Sequence, residues 1–258
     1  MVFFGPAPGG NEESCVSDPT GVQPRGAHVS NSLLVEFYQQ IPENGPQAKS
    51  KATRKEAIEA FKHHVAERYT EGTLLRLLAN GDNQARRAAL LALGLLGTMN
   101  ACPGVAACLH DDDHETAQMA ADTLWSLWFR ADAPDNNQEL QRLVRLRDRE
   151  QALAGLNALL ERAPEFAEAY NQRAILYFRQ KKFECSAADC QKVLELNPFH
   201  FGAQAGLGQC YMQMRKHRAA LKAFRAALRL NPRLEGIAET IRALENALGE
   251  EGRRDDKK

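Results

Sequence analysis

The chain has 258 residues, 44% of them hydrophobic and 26% charged, enough for one large domain or two small ones with a sizeable core. Lys plus Arg equals Asp plus Glu at 33 each, which disfavours nucleic acid as a partner, since gripping a phosphate backbone calls for a basic excess. No run approaches the roughly 20 apolar residues of a membrane span, and the start Met1-Val2-Phe3-Phe4-Gly5-Pro6 has no secretory pattern, so no membrane and a reducing cytoplasm are expected.

Residues 1–48 hold prolines 6, 8, 19, 24, 42 and 46 and six glycines, a density that predicts a mobile leader. Within it, Ser32 to Ile41 carries Leu33, Leu34, Phe37, Tyr38 and Ile41 at helical spacing. That piece either docks as one helix or stays unfolded, and the residues leave both open. From Lys49 onward alanine and leucine dominate, and Ala57, Ile58, Phe61, Val65 and Tyr69 recur at steps of three and four, the stripe of an amphipathic helix. Two similar units follow. Leu77–Leu96 matches Leu109–Trp128 at an offset of 32, aligning Ala85 with Ala117, Ala88-Ala89 with Ala120-Ala121, and Leu96 with Trp128. Each unit reads as a helix, a polar turn and a longer helix.

Ala131 to Asn137 breaks that pattern and marks a boundary, giving a first block over 49–131 and a second over 137–248. In the second block Pro164, Pro198 and Pro232 fall 34 residues apart. Its last unit reads Leu207-Gly208-x2-Tyr211, Ala220-x3-Phe224, Pro232. The middle unit has Tyr170, Ala174, Tyr177, Ser186, Cys190 and Pro198 at equivalent places, and the first keeps Ala152, Leu156, Leu159 and Pro164. Small residues pair where helices must touch, Ala174 with Ser186 and Gly208 with Ala220. Asn197 and Asn231 suit a left-handed turn ending a helix before proline. Ile237, Ile241, Leu244 and Leu248 share one face of a final capping helix. Residues 249–258 form a charged tail.

The second block resembles the tetratricopeptide repeat family, and the first resembles HEAT-like repeats with their Arg-Ala-Ala-rich second helix. These resemblances imply an all-α fold, an α-solenoid of helical hairpin repeats, whose concave face holds an extended or helical segment of a partner. The family's groove positions fall on Asn171, Ile175, Phe178, Arg179, Gln209, Met212 and Gln213 of this chain. The family's carboxylate-clamping subset uses Lys or Arg where this chain has Gln172, Gly202, Ala205, Gly206 and Gln209, so that recognition is not expected. The implied function is a protein-binding adaptor or scaffold without chemistry, cofactor or metal of its own.

Candidate chemistry is sparse. His110-Asp111-Asp112-Asp113-His114-Glu115 has metal-ligand residue types, but Asp112 and Glu115 stand in the relation of a helix capping box. The single His114-Glu115 dipeptide is too little for the di-iron site of the HEAT-repeat deoxyhypusine hydroxylases. Neither Cys102-x5-Cys108 nor Cys185-x4-Cys190 has zinc-knuckle spacing, and Cys190 reads as a small buried filler. Trp125 and Trp128 read as core, and His63-His64 as solvent-facing. The alternative from another class is an enzyme or lyase-like subunit using the HEAT-like face, as in bilin lyase families. A weaker third is a nucleic-acid array motivated by Arg86-Arg87, Arg142, Arg145, Arg147 and Arg149.

Overall fold

The computed structural model describes residues 33–42 and 51–255, and every regular element among them is helical. The rest of the expected leader and the last three residues of the tail lie outside the described residues. The chain is an α-solenoid of helical hairpins.

Helix α1 (Leu33–Gln39) docks on the first block, burying Leu34 and Val35 and packing Phe37, Tyr38 and Ile41 against its core. The expected stripe is corrected at one end, because Leu33 points outward at 44% exposure while Val35 turns in. Helix α2 (Lys51–Arg68) buries Phe61 and Val65 and packs beside α4, with Tyr69 just beyond its end. His63 is exposed as expected, whereas His64 stacks on Phe37 with ring centroids 4.6 Å apart.

The two HEAT-like units are α3 (Glu71–Asn80) with α4 (Asn83–Leu96), and α5 (Cys102–Ala107) with α6 (His114–Trp128). Asp82 caps α4 by accepting the Ala85 N–H at 2.8 Å. Asp113, not Asp112, caps α6, accepting both the N–H and the hydroxyl of Thr116. The caps correct the register of the repeat to 31. Leu93 and Leu124, both fully buried, are equivalent counted from Asp82 and Asp113. The Ala-Ala pairs suggested 32 because alanine is frequent enough on both faces of these helices to align one residue out.

Carbonyls at the end of α4 are not left orphaned. Arg130 donates to the oxygens of Gly94 (2.6 Å) and Leu95 (3.1 Å), and the Thr123 hydroxyl donates to Leu90 (3.0 Å). These bonds tie α6 to α4 across a core of Leu90, Leu93, Val105, Leu109, Leu124, Leu127 and Trp128.

Three further pairs follow: α7 (Pro134–Val144) with α8 (Arg149–Arg162), α9 (Ala167–Arg179) with α10 (Phe183–Leu196), and α11 (Phe201–Gln213) with α12 (His217–Leu230). Pro134 opens α7 inside the expected break, where a missing N–H costs nothing. Asp148 caps α8 through the N–H groups of Glu150 and Gln151. The Ala174–Ser186 approach is direct, with the Ser186 hydroxyl donating to the Ala174 oxygen at 2.8 Å. Gly208 serves a different neighbour from the expected Ala220. A Cβ there would stand 2.7 Å from the Phe224 ring, so the glycine makes room for that ring.

Asn197 and Asn231 are not left-handed. Their φ values are −140° and −134°, because the proline that follows pushes its predecessor into extended backbone. Their side-chain oxygens instead accept the N–H groups of Phe199 and Arg233, closing an Asx turn. Among the described residues other than glycine, the left-handed ones are Lys181 (φ 61°) and Arg215 (φ 56°), in the turns inside the pairs.

The capping helix α13 (Ile237–Asp255) buries Ile237, Ile241 and Leu244 on α12. It continues past Leu248 through most of the expected tail. No helix among the described residues is long and apolar enough to cross a membrane.

Candidate functional site

Within the second block α9 and α11, the first helices of successive pairs, contact one another and form one face of the stack. This is the face on which the seven groove residues were expected. Two of them are corrected. Asn171 is fully buried and Ile175 is 6% exposed, so neither forms an open wall. Asn171 Nδ2 donates to Glu168 Oε1 at 3.0 Å, and Ile175 belongs to a small core with Ala174, Cys190, Leu207 and Cys210. Toward the C-terminal ends of the two helices, Arg179 and Gln213 are exposed, and Phe178, Gln209 and Met212 are half-buried. Phe178 meets Phe183 edge-on with centroids 5.3 Å apart, and Met212 rests on the Tyr211–Phe224 cluster. The Gln209 carboxamide oxygen is buried and meets no donor among the described residues.

The N-terminal ends of the same helices are closed by the first block, a contact outside the repeat pattern. His200 lies flat on Trp128 with centroids 4.1 Å apart and an interplanar angle of 19°, and meets Trp125 edge-on. Its Nδ1 accepts the Ala203 N–H at 3.0 Å, which places the ring proton on Nε2, facing Glu168 Oε2 at 3.0 Å. The buried Glu168 carboxylate also accepts from Asn171 and from Gln172 at 2.6 Å. A carboxylate with that many donors is satisfied without water. Gly202 is required here, since a Cβ would stand 2.8 Å from the Trp125 ring. Phe199, Phe201, Leu230 and Leu234 complete the apolar seam against the first block. Arg233 reaches across to donate to the Asp111 carbonyl. Trp128 is core as expected, Trp125 packs half-buried against it, and the core they join spans both blocks. A legible hint was the run Phe199-His200-Phe201, three rings where the equivalent links read Glu165-Phe166-Ala167 and Arg233-Leu234-Glu235.

The acidic run before α6 is spent on arginines. Asp111 pairs with Arg86, and Asp113 and Glu115 with Arg87. The Thr116 hydroxyl and the Arg87 guanidinium hold the Asp113 carboxyl far below the usual carboxylate range. Among the described residues no group of three or more His, Cys, Asp or Glu side chains is placed to hold a metal ion. The Cys190 and Cys210 thiols lie together in the core of the second block. A hydrogen bond between them raises the former, with burial adding to it, and lowers the latter.

A second concavity of about 780 Å³ opens on the first block between α1, α2, α4 and α6. Its walls mix Ile41, Ile58, Leu91 and Met119 with Arg54, Arg87, Glu115 and Asp122. Burial raises the Asp122 carboxyl. No histidine, cysteine or lysine among the described residues lines the cleft.

Comparison with known proteins agrees with these two kinds of hairpin. Residues 46–128 match a model of HEAT repeats, and residues 138–201 and 203–234 match two models of the tetratricopeptide repeat. A TPR repeat-containing protein of Rhizobium etli is 30% identical over 97 residues, which cover 38% of this chain and 48% of that protein. Superkiller complex protein 3 of Homo sapiens is 30% identical over 108 residues, 41% of this chain and 7% of that protein. The chain thus spans about half the length of the first relative and a small part of the second. Among solved structures, the first TPR of Spaghetti (RPAP3) bound to an HSP90 peptide aligns with 45% of this chain and 88% of its own. Its TM-score is 0.39 at 23% identity. The first TPR domain of the human RPAP3 protein aligns with 46% and 91%, again at a TM-score of 0.39, with 22% identity. Residues 46–128 of this chain are HEAT repeats and residues 138–234 are tetratricopeptide repeats, in that order.

Proposed function

We propose that the chain is an adaptor that holds a segment of another protein against the open ends of α9 and α11. The observation carrying this reading is the surface made by Phe178, Arg179, Gln209, Met212 and Gln213. It joins a half-buried aromatic and a flexible thioether to amides able to bond a peptide backbone. The Gln209 carboxamide oxygen has no donor among the described residues, an acceptor that a partner's N–H would satisfy. Two tandem repeat types and a set of acidic residues already paired with arginines support binding over catalysis. Asn171 and Ile175 support the surface from beneath and do not touch the partner.

The test is a photo-crosslinking residue placed at Gln213 or, for comparison, at Lys222 on the outer side of α12. Irradiation in cells should give a discrete protein adduct from position 213 and none from 222. Adducts of equal yield from both positions, or none from either, would refute the groove reading.

A further inference from the structure

The turns inside the three second-block pairs share one long edge of the stack, and the links between pairs share the opposite edge. On the first of these edges Arg147, Lys181 and Arg215 stand at equivalent positions 34 residues apart, all exposed. Lys181 and Arg215 hold their cations on left-handed backbone, where glycine or asparagine would cost less. Lys182, Lys216 and Arg218 flank them, also exposed. The acids nearby in the chain are Asp148, committed to capping α8, Glu150 and Glu184. None of the six cations forms an ion pair among the described residues. Elsewhere Arg86, Arg87, Arg142, Arg173, Arg225 and Arg242 each face a carboxylate. Helix α12 prolongs the bias, with no acidic residue from His217 to Leu230. A chain of zero formal net charge therefore concentrates unpaired positive charge on one edge.

We infer that this edge docks an acidic segment of another protein, at a site that adjoins the α9–α11 surface but is made by different side chains. Packed helices lie about 8–10 Å apart, so three successive turns span roughly 20 Å. About six residues of polyproline-II chain cover that length at about 3.1 Å each, and with three residues per turn a carboxylate at every third residue lies on one face and would meet the three cations in turn. Nucleic acid fits less well. The neutral chain has no overall field to draw a polyphosphate, and Phe178 and Phe183 at this edge are half-buried against each other instead of offering a flat stacking face.

The test is fluorescence anisotropy on the full chain. A labelled nine-residue peptide with Glu at every third position among Gly and Ser is compared with its Lys counterpart and with a nine-nucleotide thymidine strand. The protein variant is R147N/K181N/R215N, because asparagine tolerates left-handed backbone. The acidic peptide should bind, weaken as salt rises, and lose about tenfold in affinity in the triple variant, with helicity and melting unchanged. Met212→Ala, which alters the α9–α11 surface, should leave this binding intact. The inference is overturned if the Lys peptide or the oligonucleotide binds as well. It is equally overturned if the triple variant binds like the parent, or if Met212→Ala abolishes binding.

Discussion

Along one edge of the tetratricopeptide stack His200 lies on Trp128, Glu168 sits fully buried among donors, and Gly202 lets Trp125 approach. Along the other, Arg147, Lys181 and Arg215 stand in solvent and form no ion pair among the described residues. Both edges are built from links between the same helices at the same 34-residue period. The difference is what each link is made of. Rings and small residues at the first close the stack onto the HEAT block, while long cations at the second leave it open. Repeat architecture fixes where links fall. The few residues in each link decide whether that edge becomes core or binding surface.

The sharpest way to break this contrast is to empty the closed edge. Trp128→Ala removes a side chain only 1% exposed and should cost about 3–5 kcal/mol in chemical denaturation. Its loss should also let the two blocks unfold in separate transitions where the parent shows one. A parent already unfolding in two steps would mean that the seam does not couple them. Next in size is Glu168→Gln, which turns one acceptor toward donors as a donor itself. Leaving buried donors of Asn171, Gln172 and His200 underserved should cost about 1–3 kcal/mol, measured the same way.

Much of this was legible in the residues, and the exceptions have physical causes. The 34-residue proline period and the Leu-Gly-x2-Tyr, Ala-x3-Phe pattern located α9 to α12 because those positions report helix–helix contact within a pair. The HEAT register was misread by one residue, since alanine alignments are degenerate and the decisive signal was the capping Asp at 82 and 113. Asn197 and Asn231 looked like left-handed terminators, but the proline after each overrides asparagine's tolerance for that region. Asn171 and Ile175 were placed on the open face by position within a single repeat. Their burial depends on neighbours outside that position: Glu168 for the one, and Leu207 and Cys210 of the next pair for the other. A repeat signature describes neighbours at one period and is silent about a domain packed across its ends.

Acid sharpens the comparison at the closed edge, where the loop holding Asp111 and Asp113 meets Arg233. The Asp113 carboxyl is depressed by Thr116 and Arg87, so it is more acidic folded than unfolded. Its contribution is therefore complete above the ordinary carboxylate value of about 4 and is lost as pH falls below it. Asp113→Asn, which keeps a capping side chain but not the charge, should melt lower than the parent at pH 7 and by a smaller gap at pH 3. Parallel melting curves at both values would show that the charge adds nothing there.

The smallest expected effect belongs to the open edge and has the opposite sign. Lys181→Gly with Arg215→Gly relieves left-handed backbone at φ 61° and 56° without removing any buried contact. Two terms compete: glycine gains where a Cβ crowds the carbonyl, by about 1–2 kcal/mol per residue, and loses through the freer unfolded chain, by about 0.5–1 kcal/mol. The balance is a rise of about 0–1.5 kcal/mol per site in denaturation, with acidic-peptide binding weakened as in the asparagine variant. An edge whose loss of charge costs affinity while stability holds or rises is one kept cationic for contact with something outside the chain. If the glycine variant instead unfolds more readily, those lysine and arginine side chains are structural, and the two edges differ in degree only.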